Sequence, residues 1–205
     1  MSILKIARLG HPILCKKASP VDNISDPNIT KLIHDMTETM LDAKGIGLAA
    51  PQVYASKQVI IFRSLENQTK EDSHIKITAL INPKINKISD DTENQWEACL
   101  SIPGMLGLVK RYSKISYEGF DMKGNVIKQN AEGLQARVVQ HEYDHLMGIV
   151  YTQRLVDKKA YGFAGIYDEG NIGFSKIKHA GFSLFKFDRL IQGVGENKGY
   201  RPQEI

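Results

Sequence analysis

Apolar residues recur at three- and four-residue steps in the first part of the chain. They are Ile29, Leu32, Ile33, Met36 and Met40. Asp26-Pro27 just ahead of them is typical of a helix N-cap and first turn, and Lys44-Gly45 ends the pattern. This spacing predicts an amphipathic helix with one face on the core.

Short β-branched runs separated by turn residues predict antiparallel strands. The predicted strands cover residues 58–62, 79–85, 114–120 and 125–129. Asn82-Pro83 interrupts the second strand, and polar residues 86–95 indicate an exposed loop. The last two strands should form a hairpin. Strands interleaved with two helices predict an α+β fold.

A second helical pattern carries two histidines on one stripe. The stripe consists of Leu134, Val138, His141 and His145, and Gly148 stands where a helix C′ glycine belongs. His141-Glu142-Tyr143-Asp144-His145 places two imidazoles one turn apart, with about 6 Å between their Cβ atoms, so both can bind one cation. Glu142 could then hold or pass protons at a metal-bound water. The alternative is two core histidines, with Glu142 and Asp144 on a solvated face.

A catalytic metal needs a third protein ligand and one open position. Tyr151 stands where a metzincin has its third histidine, which excludes that class. Glu169 remains a candidate of the gluzincin type. Upstream, Cys99 is followed by a predicted turn at Pro103-Gly104. A cysteine taken alone is more often a small buried residue than a ligand.

Composition places the chain among soluble globular proteins. It has 205 residues, 42% hydrophobic and 24% charged, with a net charge of +4. One domain is the default expectation. Its two cysteines, Cys15 and Cys99, cannot form a disulfide scaffold, and we find no signal-peptide or membrane-helix pattern. We therefore expect a cytoplasmic protein, and the scattered basic residues do not predict specific nucleic-acid recognition.

Three segments together resemble the peptide deformylase family. Residues 45–52 are similar to its Gly-x-Gly-Leu-Ala-Ala-x-Gln motif, residues 97–101 to its Glu-Gly-Cys-Leu-Ser, and residues 140–145 to its Gln-His-Glu-x-Asp-His. Residues 9–12 and 80–83 extend the likeness, which spans roughly residues 3–155. The resemblance implies an α+β fold with antiparallel sheets around the motif helix, and a catalytic domain over residues 1–155. Residues 156–205 would be a C-terminal extension of the same single domain.

The resemblance also implies a set of site residues. The metal ligands would be Cys99, His141 and His145, with water as the fourth ligand. Glu142 would transfer the proton, while the Gln52 amide and the Leu100 backbone N–H would stabilise the oxyanion. The substrate-binding residues would be Gly45, Ile46, Gly47, Leu134, Arg137 and Val138, with Arg137 at the pocket mouth. Leu134 and Val138 could instead be ordinary core residues, and Gln52 a backbone cap.

Family resemblance implies the removal of the formyl group from nascent N-formylmethionyl peptides. It implies Fe²⁺ in the cell, whereas Zn²⁺ or Ni²⁺ would suit the same ligands in purified protein. No membrane partner is expected. Lysines of the C-terminal part permit a weak association with the ribosome; they are Lys158, Lys159, Lys176, Lys178 and Lys186.

Ala98 departs from the family motif, which has glycine there. A Cβ beside the metal ligand would be costly if the position required a positive φ. Ala98 therefore leaves open a deformylase-like protein that binds metal or peptide without catalysis. Separately, a zinc endopeptidase that uses Glu169 in place of Cys99 also stays open.

Overall fold

The computed structural model describes residues 2–64 and 76–164 of the chain. Within these ranges the named α-helices are α1 (Pro27–Asp42) and α2 (Gly133–Leu146). The strands are β1 (Gly47–Ala49), β2 (Val59–Arg63), β3 (Ile77–Lys87), β4 (Thr92–Cys99), β5 (Ile102–Tyr112), β6 (Lys114–Phe120), β7 (Val126–Glu132) and β8 (Tyr161–Phe163). The predicted α+β class is confirmed.

Helix α1 lies where the sequence predicts it. The Asp26 side chain accepts a hydrogen bond of 2.8 Å from the backbone N–H of Asn28, which caps the first turn. At the other end Lys44 adopts a left-handed φ of 53°. The buried apolar face includes Ile29, Ile33, Met36 and Met40. The helix therefore packs through its predicted apolar face.

Strand β2 is buried on both faces because a helix covers each side. Ile60 and Phe62 pack with Val139 of α2, whereas Val59 and Ile61 pack with the apolar face of α1. A strand covered on both sides has a continuous apolar run in place of an alternating one. This packing fixes α2 against one face of the sheet.

The strands form two antiparallel sheets, and α2 contacts both. The first has the order β1-β2-β3-β6-β7 and the second the order β4-β5-β8. Helix α2 contacts β1 and β2 of the first sheet and β5 of the second. Strands of both sheets therefore pack against the motif helix, consistent with the fold that the resemblance implies. Within the described part of the chain, β1 and β4 are both edge strands.

The predicted exposed loop over residues 86–95 is shorter in the structure, where it covers residues 88–91. Strand β3 continues to Lys87 and β4 begins at Thr92, so a short turn joins two strands. These strand ends are polar, so hydrogen bonds to the neighbouring strands hold them, and not apolar packing. Asn82-Pro83 does not end β3 but creates a break in its register. The Asn82 side chain compensates by bonding both the backbone N–H and the carbonyl of Val21.

The predicted turn at Pro103-Gly104 is also wrong. Cys99 pairs with Ile102, so the turn between β4 and β5 lies at Leu100-Ser101. A Pro-Gly pair is a turn signal when seen alone. Ile102, just before Pro103-Gly104, pairs with Cys99 of β4, and Met105, just after it, pairs with Phe163 of β8. These pairings keep Pro103-Gly104 inside β5.

Beyond Leu155 the sequence predicts no element, but the structure has β8. Phe163 of β8 pairs with Met105 of β5, so the second sheet continues past residue 155. The rest of the predicted C-terminal extension, residues 165–205 with Glu169, lies outside the described residues. No helix within residues 2–64 and 76–164 is long and apolar enough to cross a membrane.

Candidate metal centre

Three side chains with metal-binding donor atoms converge from β4 and α2. Cys99 is the last residue of β4, and His141 and His145 lie one turn apart on α2. Their donor atoms all lie within 4.8 Å of one another, and Cys99 Sγ is 3.3 Å from His145 Nε2. The distance from Cys99 Sγ to His145 Nε2 is close to that between two ligand atoms on a tetrahedral ion whose metal–ligand bonds are about 2.0 to 2.3 Å. In the described part of the chain no other such group of three occurs.

The pKa values of the two imidazoles shift in opposite directions. Burial lowers the pKa of His145 well below its usual value, which keeps this ring neutral, as a ligand must be. Burial also acts to lower the pKa of His141, but hydrogen bonds with Cys99 and Glu97 outweigh it and raise that pKa. A cation would compete with the proton held there. The set of one thiolate and two imidazoles therefore fits a divalent transition metal whose binding releases protons.

Glu142 is buried beside this group, so the alternative of a solvated face is wrong for it. Its Oε2 atom has no hydrogen-bond partner among residues 2–64 and 76–164. Burial raises the pKa of Glu142 to about 7, although His141 opposes the shift. A carboxyl group with a pKa near neutrality can both accept and return a proton. The backbone of Gly47 comes so close that a Cβ there would lie 2.4 Å from Glu142 Oε1.

Gln52 caps a backbone group and faces the candidate ligands at the same time. Its Oε1 accepts a 2.8 Å hydrogen bond from the Ala49 N–H, which fixes the orientation of the amide. Its Nε2 then lies 3.5 Å from Cys99 Sγ and 3.2 Å from Ser101 Oγ. The two interpretations of Gln52 from the sequence are therefore compatible. Leu100 directly follows Cys99 in the turn.

Glu97 is an orienting residue to which sequence reasoning assigned no role. His141 Nδ1 lies 2.8 Å from Glu97 Oε2. Burial alone would raise the pKa of Glu97, but hydrogen bonds from His141 and Arg111 hold it well below the usual range. The carboxylate is therefore ionised and fixes the His141 ring, as partners of metal-binding histidines commonly do. Its position two residues before Cys99, on the same face of a strand, is the signal that could have revealed it.

Asp144 bonds the scaffold and not a candidate ligand. It pairs with Arg111 of β5 and with Arg154, which donates hydrogen bonds of 2.5 and 2.6 Å. Arg111 also donates to both oxygens of Glu97, at 2.9 and 3.0 Å. One buried guanidinium therefore joins the carboxylates of β4 and α2. Sequence reasoning missed Arg111 because no local pattern marks it.

Two further contacts of the site were not expected from the sequence. The Tyr151 ring stacks on the His141 ring, with centroids 6.1 Å apart and planes inclined by 27°. Arg8 donates a 2.7 Å hydrogen bond to the carbonyl of Leu100. The first contact restrains the ring of a candidate ligand, and the second fixes the residue that follows Cys99.

The predicted substrate residues fall into different environments. Ile46 is half-buried and packs on the core cluster that contains Val138. Leu134 is 40% exposed, so the alternative of an ordinary core residue does not hold for it. Gly45 is half-buried, and a Cβ there would lie 2.9 Å from the Leu100 side chain.

The position predicted for Arg137, at a pocket mouth, is wrong. Its side chain is buried and donates to Glu97 Oε1 and to the carbonyls of Val109 and Glu93. Carboxylate and carbonyl oxygens from β4 and β5 draw the guanidinium inward. It belongs to the ion cluster around the candidate metal centre.

Ala98 lies where the register between β4 and β5 shifts, between Glu97 and Cys99, but its backbone is not in the left-handed region. Its φ is not positive, and its side chain is exposed, between the buried side chains of Glu97 and Cys99. A β-strand directs successive side chains to opposite faces, so the extra Cβ points away from the ligand side. The structure therefore removes the physical reason for expecting an inactive site.

Comparisons with known proteins agree with this geometry. A family model described as "Polypeptide deformylase" matches residues 3–161. "Peptide deformylase 2" of Ralstonia nicotianae is 46% identical over 165 residues, which cover 80% of this chain and 93% of that protein. A peptide deformylase crystal structure from Thermotoga maritima is 35% identical, with a TM-score of 0.68 over 76% of this chain and 99% of that one. A Met-Ala-Ser-bound structure of a class I type b peptide deformylase from Acinetobacter baumannii is also 35% identical, with a TM-score of 0.67 over 75% and 98%.

Proposed function

The chain belongs to the peptide deformylase family, and we propose that it removes the formyl group from the N-terminal formyl-methionine of newly synthesised polypeptides, releasing formate. The observation that carries this proposal is one constellation of side chains. Cys99, His141 and His145 converge within 4.8 Å, and the buried Glu142 and the amide of Gln52 lie beside them. Such an arrangement suits hydrolysis of a small amide at an open metal position.

Cys99, His141 and His145 would hold one divalent cation. When bound, the cation supplies Lewis acidity that lowers the pKa of a water molecule toward neutrality. We propose Fe²⁺ as the physiological metal. Sulfur and nitrogen ligands also suit Zn²⁺ and Ni²⁺, both of which rank above Fe²⁺ in intrinsic affinity, so either is expected in protein purified in air.

Proton transfer is assigned to Glu142. Its carboxylate accepts a proton as water attacks the formyl carbon, and returns it to the amine that leaves as the new N-terminus. The pKa of about 7 favours both transfers near neutral pH. Gln52 Nε2 and the Leu100 backbone N–H donate hydrogen bonds to the developing oxyanion, and the loss of one such donor typically costs about 3 to 4 kcal/mol of barrier.

The substrate peptide would bind in extended form along the edge of β1. In the described part of the chain β1 pairs with β2 alone, so its other edge can accept an added strand. Main-chain hydrogen bonds between the peptide and the backbones of Gly45 and Gly47 would give affinity that does not depend on the peptide sequence. Ile46, Val138 and the exposed Leu134 are the candidates for contact with the methionine side chain. The A. baumannii relative binds Met-Ala-Ser, a short peptide that begins with methionine.

The proposed setting is the cytoplasm, with nascent N-formylmethionyl peptides as substrates. A weak association with the ribosome is part of this proposal. Lys158 and Lys159 are exposed and could contribute, whereas the other three candidate lysines lie outside the described residues.

Anaerobic purification, metal analysis and a formate-release assay test the proposal together. We expect one equivalent of metal and rapid turnover of formyl-Met-Ala-Ser, with no turnover of the acetylated peptide. Glu142→Ala should keep the metal and lose about 10²- to 10⁴-fold in rate. Full activity in Glu142→Ala would refute the proton-transfer role, and failure to release formate in the metal-loaded protein would refute the function.

A Cys99 variant separates the proposal from an endopeptidase that uses Glu169. Cys99→Ser should reduce metal binding strongly, because Cys99 Sγ lies 3.3 Å from His145 Nε2. Stoichiometric metal in Cys99→Ser would favour another third ligand.

A further inference from the structure

Glu97 accepts four hydrogen bonds, and two arginines donate three of them. Arg111 donates to both carboxylate oxygens, at 2.9 and 3.0 Å. Arg137 donates to Oε1 at 2.7 Å, while His141 Nδ1 lies 2.8 Å from Oε2. A carboxylate has about four acceptor positions. Glu97 is therefore saturated, and its plane cannot rotate without breaking a bond.

Arg137 also ties together the two elements that carry the candidate ligands. It lies one turn before His141 on α2 and is 5% exposed. Beyond Glu97, it donates to the carbonyl of Val109 in β5 at 3.0 Å and to that of Glu93 in β4 at 2.7 Å. One guanidinium thus bonds three acceptors on the β4–β5 hairpin, whose first strand ends at Cys99. A lysine could supply the charge but not this fork of donors.

We propose that Arg137 is a positioning residue for the metal centre. By fixing Oε1 of Glu97, it keeps Oε2 on His141 Nδ1, which leaves the other ring nitrogen of His141 for the metal. This inference rests on the proposed metal site and adds to it a residue that touches neither metal nor substrate. Partners that orient a ligand histidine typically change metal affinity by about 10- to 100-fold.

The test is the rate at which the Zn²⁺-loaded full chain loses metal to excess chelator. Arg137→Met should accelerate release by about 10- to 100-fold, and Arg137→Lys should fall between this variant and the wild type. Arg154→Met is the matched control, because it removes an arginine that bonds Asp144 and not Glu97. Its release rate should stay within about twofold of the wild-type rate.

A double-mutant cycle tests whether the effect passes through Glu97. In a Glu97→Gln background, Arg137→Met should change release far less than it does in the wild type. Unchanged release in folded Arg137→Met would overturn the inference, as would equal acceleration by Arg154→Met. If Arg137→Met does not fold, Arg137→Lys decides, and wild-type release in that variant overturns the inference. A wild-type chain that binds no Zn²⁺ at all would instead refute the proposed function.

Discussion

Replacement of Gly47 by alanine should disable proton transfer while leaving the metal ligands intact. A Cβ at Gly47 would lie 2.4 Å from Glu142 Oε1 and 2.8 Å from its Cγ and Cδ, whereas ordinary contact begins at 3.4 Å. Gly47 is a buried strand residue, so its backbone has little room to retreat. The carboxylate must therefore move by about 1 Å, and a misplacement of that size costs about 10²-fold in rate.

The assay is formate release from formyl-Met-Ala-Ser, with metal content measured on the same samples. We expect kcat to fall by about 100-fold in Gly47→Ala, with a smaller change in KM, because the general base is displaced and not the peptide. Gly119→Ala is the matched control. Its new Cβ would lie 2.8 Å from the carbonyl oxygen of Ile81 and from the side chain of Leu80, neither of which belongs to the site. It should lower stability and keep kcat.

Three results would contradict this reasoning. A kcat within about twofold of the wild type would show that Glu142 tolerates the Cβ or has no part in the rate-limiting step. A large rise in KM at constant kcat would show that Gly47 acts through peptide binding alone. Loss of metal in step with activity would place the damage at the ligands instead.

Three further predictions concern Glu97, Ala98 and Asp26. Because the pKa of Glu97 is depressed in the folded state, its contribution to stability is present above pH 4.5, its unperturbed value, and is lost as the pH falls. Urea unfolding of Glu97→Gln should therefore show a weaker loss of stability below about pH 5 than the wild type, and parallel profiles would contradict this. Ala98→Gly should change kcat/KM by no more than about threefold, since the side chain is exposed and φ is not positive; a large gain from a low basal activity would show that Ala98 impairs the site. Asp26→Ala should lower the free energy of unfolding by about 1 kcal/mol through loss of the cap on Asn28, and an unchanged urea midpoint would contradict it.

The elements that the sequence predicts well are those whose signals are local. The N-cap at Asp26, the apolar spacing of α1 and the C′ glycine at Gly148 all lie within a few residues of the helix they define. The apolar run of β2 is equally local. The two-histidine stripe fixes α2 and brings His141 and His145 together by helix geometry alone.

The misplaced elements depend on partners distant in the chain. The polar ends of β3 and β4 are strands only because β5 and β6 pair with them, and β8 exists through its pairing with β5. A propensity scale cannot detect such a partner, since the same residues would be a loop without it. Arg137 shows the same principle for a side chain. Its acceptor Glu97 lies 40 residues away in sequence.

The ion cluster around Glu97 contributes more to the orientation of His141 than to the stability of the fold. Burying the charges of Glu97, Arg111, Arg137 and Asp144 requires desolvation that their mutual attraction offsets only in part, so such clusters are poor stabilisers compared with apolar packing. Such clusters do restrict the orientation of their side chains, because the donors of a guanidinium form a rigid, planar fork that few arrangements of acceptors can match. In this chain the restricted direction is that of His141 Nδ1, bound to Glu97 on one side while Tyr151 covers the ring face. Apolar replacement of the whole cluster is therefore expected to spare the fold more than the metal centre, whereas removal of one partner alone leaves a buried charge unpaired and destabilises the fold.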